Sequence, residues 1–187
     1  MRRRIAVLFL LCSLILASCA VRDAKTSGDA KGAIGSTKLS LNLELPKAIN
    51  ISRTSSVKGG SSISEQDKQR ALSDSRALVS VMFKGFTERF PTMAKSYGLR
   101  IDPASQSESI LRLSVTALHL DCTDMGCRPN LEIRAIVLRS DNYATLWTYT
   151  SNVGTATVLS AVSDELFESF AKDMLQAMER DHVLSKQ

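Results

Sequence analysis

The sequence predicts an α+β fold, a two-layer sandwich in which two helices pack on one face of a mainly antiparallel sheet of about four to five strands. Three observations carry this expectation. Two segments, near 64–97 and 163–180, repeat apolar residues at three- and four-residue steps, as one face of a helix requires. Four others, near 39–45, 111–120, 131–137 and 146–149, alternate or concentrate β-forming residues. The order is β-α-(β)-β-β-β-α, so two apolar helix faces have one sheet face to cover.

The first strand is read from Leu39, Leu41, Leu43 and Leu45 alternating with Ser40, Asn42 and Glu44. Pro46 ends or bends it, and Ile49 and Ile51 extend it at an edge. Residues 52–63 are rich in Ser and Gly and predict a mobile loop. Ser64 followed by Glu65 and Asp67 starts the first helix, with a capping hydroxyl and then acids at the positive dipole end. Leu72, Ser75, Val79, Met82, Phe86 and Phe90 form its stripe, with Leu78 and Phe83 beside them. About six turns follow, ending near Pro91 or continuing as a short turn to Tyr97, where Gly98 suits a left-handed C-terminal position.

Leu99 and Ile101 suggest a short strand before Pro103. Leu111, Leu113, Val115 and Ala117 alternate, and the phase then shifts to Leu118 and Leu120, which predicts a β-bulge near Ala117. Leu131, Ile133, Ala135 and Val137 continue an antiparallel meander through the turn Ser140-Asp141-Asn142 to Leu146, Trp147, Thr148 and Tyr149. After Ser163-Asp164-Glu165, a last helix gathers Leu166, Phe167, Phe170, Ala171, Met174, Leu175 and Met178 on one face.

The 187 residues are 44% hydrophobic and 23% charged, the balance of one folded domain. The formal charge of +5 owes three units to Arg2, Arg3 and Arg4, and without them basic and acidic residues nearly balance. That argues against a nucleic-acid binder, which needs a clustered basic face. The three arginines precede thirteen mostly apolar residues, Ile5 to Ala17, a run shorter than the roughly twenty of a spanning helix and typical of a secretory signal.

At the end of that run, Leu16-Ala17-Ser18-Cys19 resembles the lipobox of bacterial lipoproteins. The resemblance implies cleavage of residues 1–18 and acylation of Cys19 with diacylglycerol and commonly a third chain such as palmitate. Several acyl chains at about 0.8 kcal/mol per buried methylene would hold the protein on a membrane. Ala20 follows the cysteine, where an Asp in enterobacteria signals inner-membrane retention, so the family rule points to the periplasmic leaflet of the outer membrane. Residues 19–37 are then the lipidated cysteine and a flexible tether of about 20–25 Å, small, polar and charge-mixed. Residues 38–187 form a single periplasmic domain, large enough to bury a core without metal.

Few residues offer chemistry. Cys12 leaves with the signal and Cys19 carries lipid, which leaves Cys122 and Cys127 as a pair in a loop between strands. In an oxidising compartment the default is a disulfide. A redox pair lacks the C-x-x-C spacing, and two thiols without a nearby His do not make a zinc site. Ser55 and Lys58 at S-x-x-K spacing, with Ser140-Asp141-Asn142, match two motifs of penicillin-recognising serine enzymes. The likeness stops there, because Gly59 and Gly60 follow in a polar loop and no K-T-G strand lies downstream. His119 falls within a strand and His182 at a helix end, where a cation complements the dipole. Trp147 shares a strand face with Tyr149 and reads as an aromatic cap on the sheet core, and Met174 and Met178 read as core. No metal, cofactor or catalytic set is expected, and the partner-binding residues are not assigned.

From Tyr97 to Leu138 the layout of helix end, Gly98-Leu99-Arg100-Ile101, spacer, Ser109 to Val115 and hairpin resembles small outer-membrane lipoproteins. These include auxiliary lipoproteins of ABC-type lipid transport and the lipopolysaccharide-assembly lipoprotein. The resemblance implies a non-catalytic accessory or assembly component that docks to an envelope protein, with the membrane held through acylated Cys19. The alternative is a regulatory lipoprotein that activates a peptidoglycan-synthesis enzyme, which a longer tether would favour.

Overall fold

The sheet grows outward from one long hairpin. The computed structural model describes residues 21–27, 34–53, 63–102, 107–123, 126–154 and 164–184, and among these it shows seven strands and three helices. The strands are β1 (Val21–Ser27), β2 (Ser36–Asn42), β3 (Ile49–Arg53), β4 (Arg100–Ile101), β5 (Ser109–Thr123), β6 (Gly126–Arg139) and β7 (Thr145–Gly154). The helices are α1 (Glu65–Glu88), α2 (Phe90–Ser96) and α3 (Asp164–Arg180). The path across the sheet is β1-β7-β6-β5-β2-β4, with β3 also beside β5.

The α+β sandwich stands as expected, with a sheet wider than the sequence suggested. Long antiparallel ladders join β5 to β6, β6 to β7 and β7 to β1. The pairings β2–β5, β3–β5 and β2–β4 are parallel, so the sheet is mixed. β2 lies beside Ser109–Ser114 and β3 beside Leu118–Cys122, which makes them one interrupted strand along the same side of β5. The register of β5 against β6 shifts between Val115 and Ala117, where the change of apolar phase placed a bulge.

Residues 21–27 depart most from expectation. They lie in the stretch read as a flexible tether, yet they pair antiparallel with β7, from Val21 opposite Val153 to Ser27 opposite Thr148. Arg22, Asp23 and Lys25 hide the strand from a hydrophobicity pattern. The cysteine-containing stretch also differs, since β5 runs to Thr123 and β6 begins at Gly126. Both cysteines are therefore strand residues directly opposite one another. The expected mobile loop falls largely on residues 54–62, outside the described residues.

One face of the sheet is covered. Leu111, Leu113, Leu118, Leu120, Leu131, Ile133, Ala135, Val137, Trp147, Tyr149 and Val153 alternate with polar neighbours and are buried. α1 lies across β6, and α3 packs against both α1 and β7. On α1 the buried stripe is Ala71, Ser75, Leu78, Met82, Gly85 and Phe86. It is rotated slightly from the predicted one, leaving Leu72 and Val79 half-buried and Phe83 exposed. The helices approach closely at Gly85, where an added Cβ would fall 2.3 Å from Phe167 Cγ. All seven apolar residues predicted on α3 are buried.

Local signals at the helix ends are met. Ser64 caps α1 by accepting a hydrogen bond from Asp67 N at 3.0 Å. α2 closes with Gly98 at φ 80°, Gly98 N donating to Lys95 O and Leu99 N to Ala94 O, a Schellman pair. α3 closes the same way without glycine. His182 takes φ 57°, its N–H donates to Glu179 O at 3.1 Å, and Val183 N donates to Met178 O at 2.8 Å.

Candidate functional site

The residues weighed for chemistry do not converge. His119 alternates with buried Leu118 and Leu120, so it projects from the uncovered face of β5, in register with Asn50 and Asn130. His182 is exposed and serves as the left-handed residue that ends α3. Ser140, Asp141 and Asn142 form the turn between β6 and β7, where Asn142 Oδ1 accepts from Ala144 N at 2.9 Å, a local turn bond. Ser55, Lys58 and Cys19 lie outside the described residues. Among the described residues no three His, Cys, Asp or Glu side chains gather as a metal set. No helix among them is long and apolar enough to cross a membrane.

Trp147 and Tyr149 occupy the core as predicted. Their rings stack at 5.7 Å with an 11° tilt, and Tyr149 meets Phe170 edge-on at 5.8 Å. The indole N–H donates to Asp181 Oδ2 at 2.9 Å, the bond that a buried tryptophan needs. Burial works against charge on Asp181, but hydrogen bonds from Trp147, Arg180 and Thr26 outweigh it and hold the carboxyl below the ordinary aspartate value. This carboxylate ties the end of α3 to β7 and β1. No sequence motif marks it.

Two of the surface cavities are lined by described residues. The first, about 790 Å³, opens where the α1–α2 joint meets α3, and Glu88, Arg89, Thr92, Glu168 and Lys172 are among its lining residues. Arg89 dominates it: the guanidinium pairs with Asp164 at 3.0 Å and with Glu168, and stands 5.7 Å over the Phe167 ring. Its charge is engaged in holding the two helices, a structural employment. The second, about 500 Å³, sits at the opposite end of the sheet from the cysteines, among Ser107, Glu108, Arg139 and Ser140. Glu108 is occupied there in accepting from Gly35 N at 3.1 Å.

What remains are the surfaces the helices leave open. On the uncovered face, Ser40, Arg112, Ile136 and Thr148 form one cross-strand row and Asn42, Ser114, Arg134 and Thr150 the next. Arg112 and Arg134 are exposed, with no ion pair among the described residues. Below these rows the β5–β6 hairpin narrows to Cys122 and Cys127, joined by a disulfide with Cα atoms 3.9 Å apart. β3 runs along its side and exposes Ile49 by 37% and Ile51 by 48%, two of the four exposed large hydrophobic residues described. Both point to the helix-side face, in register with Leu118 and Leu120, beyond the cover of the helices.

No protein-family model matches the chain, and no curated protein sequence matches it significantly. Solved structures align at low identity. The PelC dodecamer from Paraburkholderia phytofirmans aligns at 11% identity with a TM-score of 0.41, over 88% of this chain and 99% of that one. Lipoprotein GNA1162 from Neisseria meningitidis aligns at 11% with a TM-score of 0.32, over 78% and 99%. The protein XCC0632 from Xanthomonas campestris aligns at 13% with a TM-score of 0.35, over 86% and 89%.

Proposed function

We propose that this chain is a lipid-anchored envelope lipoprotein of the outer-membrane periplasmic leaflet that works by docking, as a non-catalytic accessory or assembly component of envelope transport or outer-membrane biogenesis. The observation that carries the reading is the position of β1. It begins at Val21, two residues after the lipobox cysteine, and is paired with β7 from its first residue. Two residues reach about 7 Å at most, so a domain acylated at Cys19 stays against its membrane. That supports a partner embedded in or lying on the same membrane over a cell-wall enzyme reached across the murein layer. The scatter of His119, His182 and the Ser140 turn supports docking over turnover.

The test is complementation of a deletion strain, with intact mass measured on the extracted protein. The mass should match residues 19–187 plus acyl groups. Cys19→Ser should abolish function, whereas His119→Ala, His182→Ala, Ser55→Ala and Lys58→Ala should each retain it at normal expression. A single one of these polar substitutions that abolished function in folded, acylated protein would replace docking with an active site around that residue.

A further inference from the structure

The sheet face that the helices leave open carries three cations in a line. Leu111, Leu113, Ala135 and Val137 are buried under the helical layer, so Arg112 and Arg134, which alternate with them, stand on the open face. Lys38 precedes Leu39, the partner of Leu111 that packs against the core, and shares the open face on β2. In register, Lys38 is level with Ile110, Arg112 with Ser40 and Ile136, and Arg134 with Ser114. Each cation therefore stands one row further along than the last, from β2 to β5 to β6. On the antiparallel β5–β6 pair such a diagonal spaces side chains about 7–8 Å apart, within reach of two arginines.

No acid interrupts the line. Among the described residues none of the three cations forms an ion pair. Their rows hold no Asp or Glu from β2 to β7, only hydroxyl, amide and aliphatic neighbours such as Ser40, Asn42, Ser114, Ile136, Thr148 and Thr150. Glu132 and Asp121 share the face nearer the hairpin end, where they accept hydrogen bonds from Thr116 and Ser52. Like charges placed this way repel, and the fold supplies no counter-charge between them. An anionic partner would supply it. The three rows offer no aromatic anchor of the kind that concentrates energy in a protein interface. Guanidinium groups ringed by neutral donors suit phosphate oxygens instead.

We propose that the open face of β2, β5 and β6 is a docking surface for anionic phospholipid headgroups, with Lys38, Arg112 and Arg134 set against their phosphates. Each cation near an anionic membrane surface favours contact about fivefold. Three such contacts are weak for capture from solution, but they suffice to orient a domain that its acyl anchor already holds at high local concentration. The proposal rests on acylation of Cys19 and adds which face of the domain meets the membrane.

Headgroup quenching tests it. Acylated full-length protein is reconstituted in phosphatidylethanolamine–phosphatidylglycerol vesicles or in phosphatidylcholine alone, each with and without a lipid spin-labelled at its headgroup. Thr148→Trp reports the open face, in the row of Arg112. Phe83→Trp reports the helical layer, where the native side chain is 48% exposed. The wild type supplies the signal of Trp147, and intact mass and vesicle flotation report the anchor. In anionic vesicles the added tryptophan should be quenched at least twofold more at 148 than at 83. That preference should vanish in phosphatidylcholine and with Arg112→Gln plus Arg134→Gln, and should survive Arg112→Lys plus Arg134→Lys, which keeps the charge. Equal quenching at 148 and 83 in anionic vesicles, or a preference indifferent to the charge of lipid and protein, overturns the docking surface and leaves the anchor standing, provided the protein is acylated and floats. Protein without acyl groups overturns the anchor, and this orientation with it. Shielding of the Thr148→Trp reporter from aqueous acrylamide by poly-glutamate, but not by anionic vesicles, assigns the face to an acidic protein partner instead.

Discussion

Asp181 joins three elements through one carboxylate. Its folded pKa lies below the ordinary value, because bonds from Trp147, Arg180 and Thr26 outweigh the burial that opposes its charge. A carboxyl depressed by folding adds stability above its unfolded pKa, and that contribution is lost as pH falls through the folded pKa. Asp181→Asn should therefore flatten the acid limb of stability, read as the urea midpoint across the acid range. Asp181→Ala should cost about 1–3 kcal/mol at neutral pH, because the buried indole N–H loses its acceptor. Trp147 is the only tryptophan, so its fluorescence reports both changes. His182 presents the opposite case, a side chain at φ 57° where glycine is at ease. His182→Gly should raise stability by about 1 kcal/mol in the same titration, since it relieves the left-handed strain of a residue with a Cβ. A loss of stability would mean that the imidazole does more than close the helix.

At the scale of elements, the hairpin shows what one bond does to register. Cys122 and Cys127 are opposite residues, so the disulfide fixes the pairing that carries β6 past Gly154, the last described residue of β7. The chain-entropy estimate for so short a loop is about 2 kcal/mol. Cys122→Ser with Cys127→Ser should lower the urea-derived stability by that amount and leave the fold intact, as far-UV dichroism would show. The pairing of the cysteines was legible from compartment and count, but their strand setting was not. Asp121, Gly126 and Pro129 read as a loop, yet among the described strands β7 reaches only Asn130, which leaves β6 an edge there at Pro129, where a missing N–H is tolerated. α3 was legible throughout because its apolar face is continuous. α1 was rotated because Ala71 carries no strong hydrophobic signal against Leu72, although its small side chain is the one that packs inward. The parallel pairings were invisible, since alternation shows that a strand has a buried face and nothing about its neighbour. Ile49 and Ile51 were legible as an edge, but their parallel pairing beside Leu118 and Leu120 was not.

For the molecule as a whole, the layers share one core. Phe90, Phe86, Phe170, Tyr149 and Trp147 touch in sequence, from α2 through α1 and α3 to β7, with centroids 5.0 to 6.0 Å apart. The same buried cluster includes Leu184 after α3 and Ile34 before β2. Thermal or urea unfolding should accordingly be a single cooperative transition, with Trp147 fluorescence and far-UV dichroism superimposing. Separate midpoints would show that the helical layer leaves the sheet independently.

The way β1 joins the sheet also governs how the domain bears tension. Its partner is β7 alone among the described strands, through paired positions from Val21 to Ser27, and the chain enters at Val21. A pull on that entry directed along the strand loads the whole ladder at once, as in a lap joint, whereas a pull across it would part the hydrogen bonds one at a time. In a chain held by Cys19 and tugged by a partner at the far end of the sheet, force runs along β1. The domain is then gripped in its resistant direction, and its hold on its own anchor grows with the length of that single ladder.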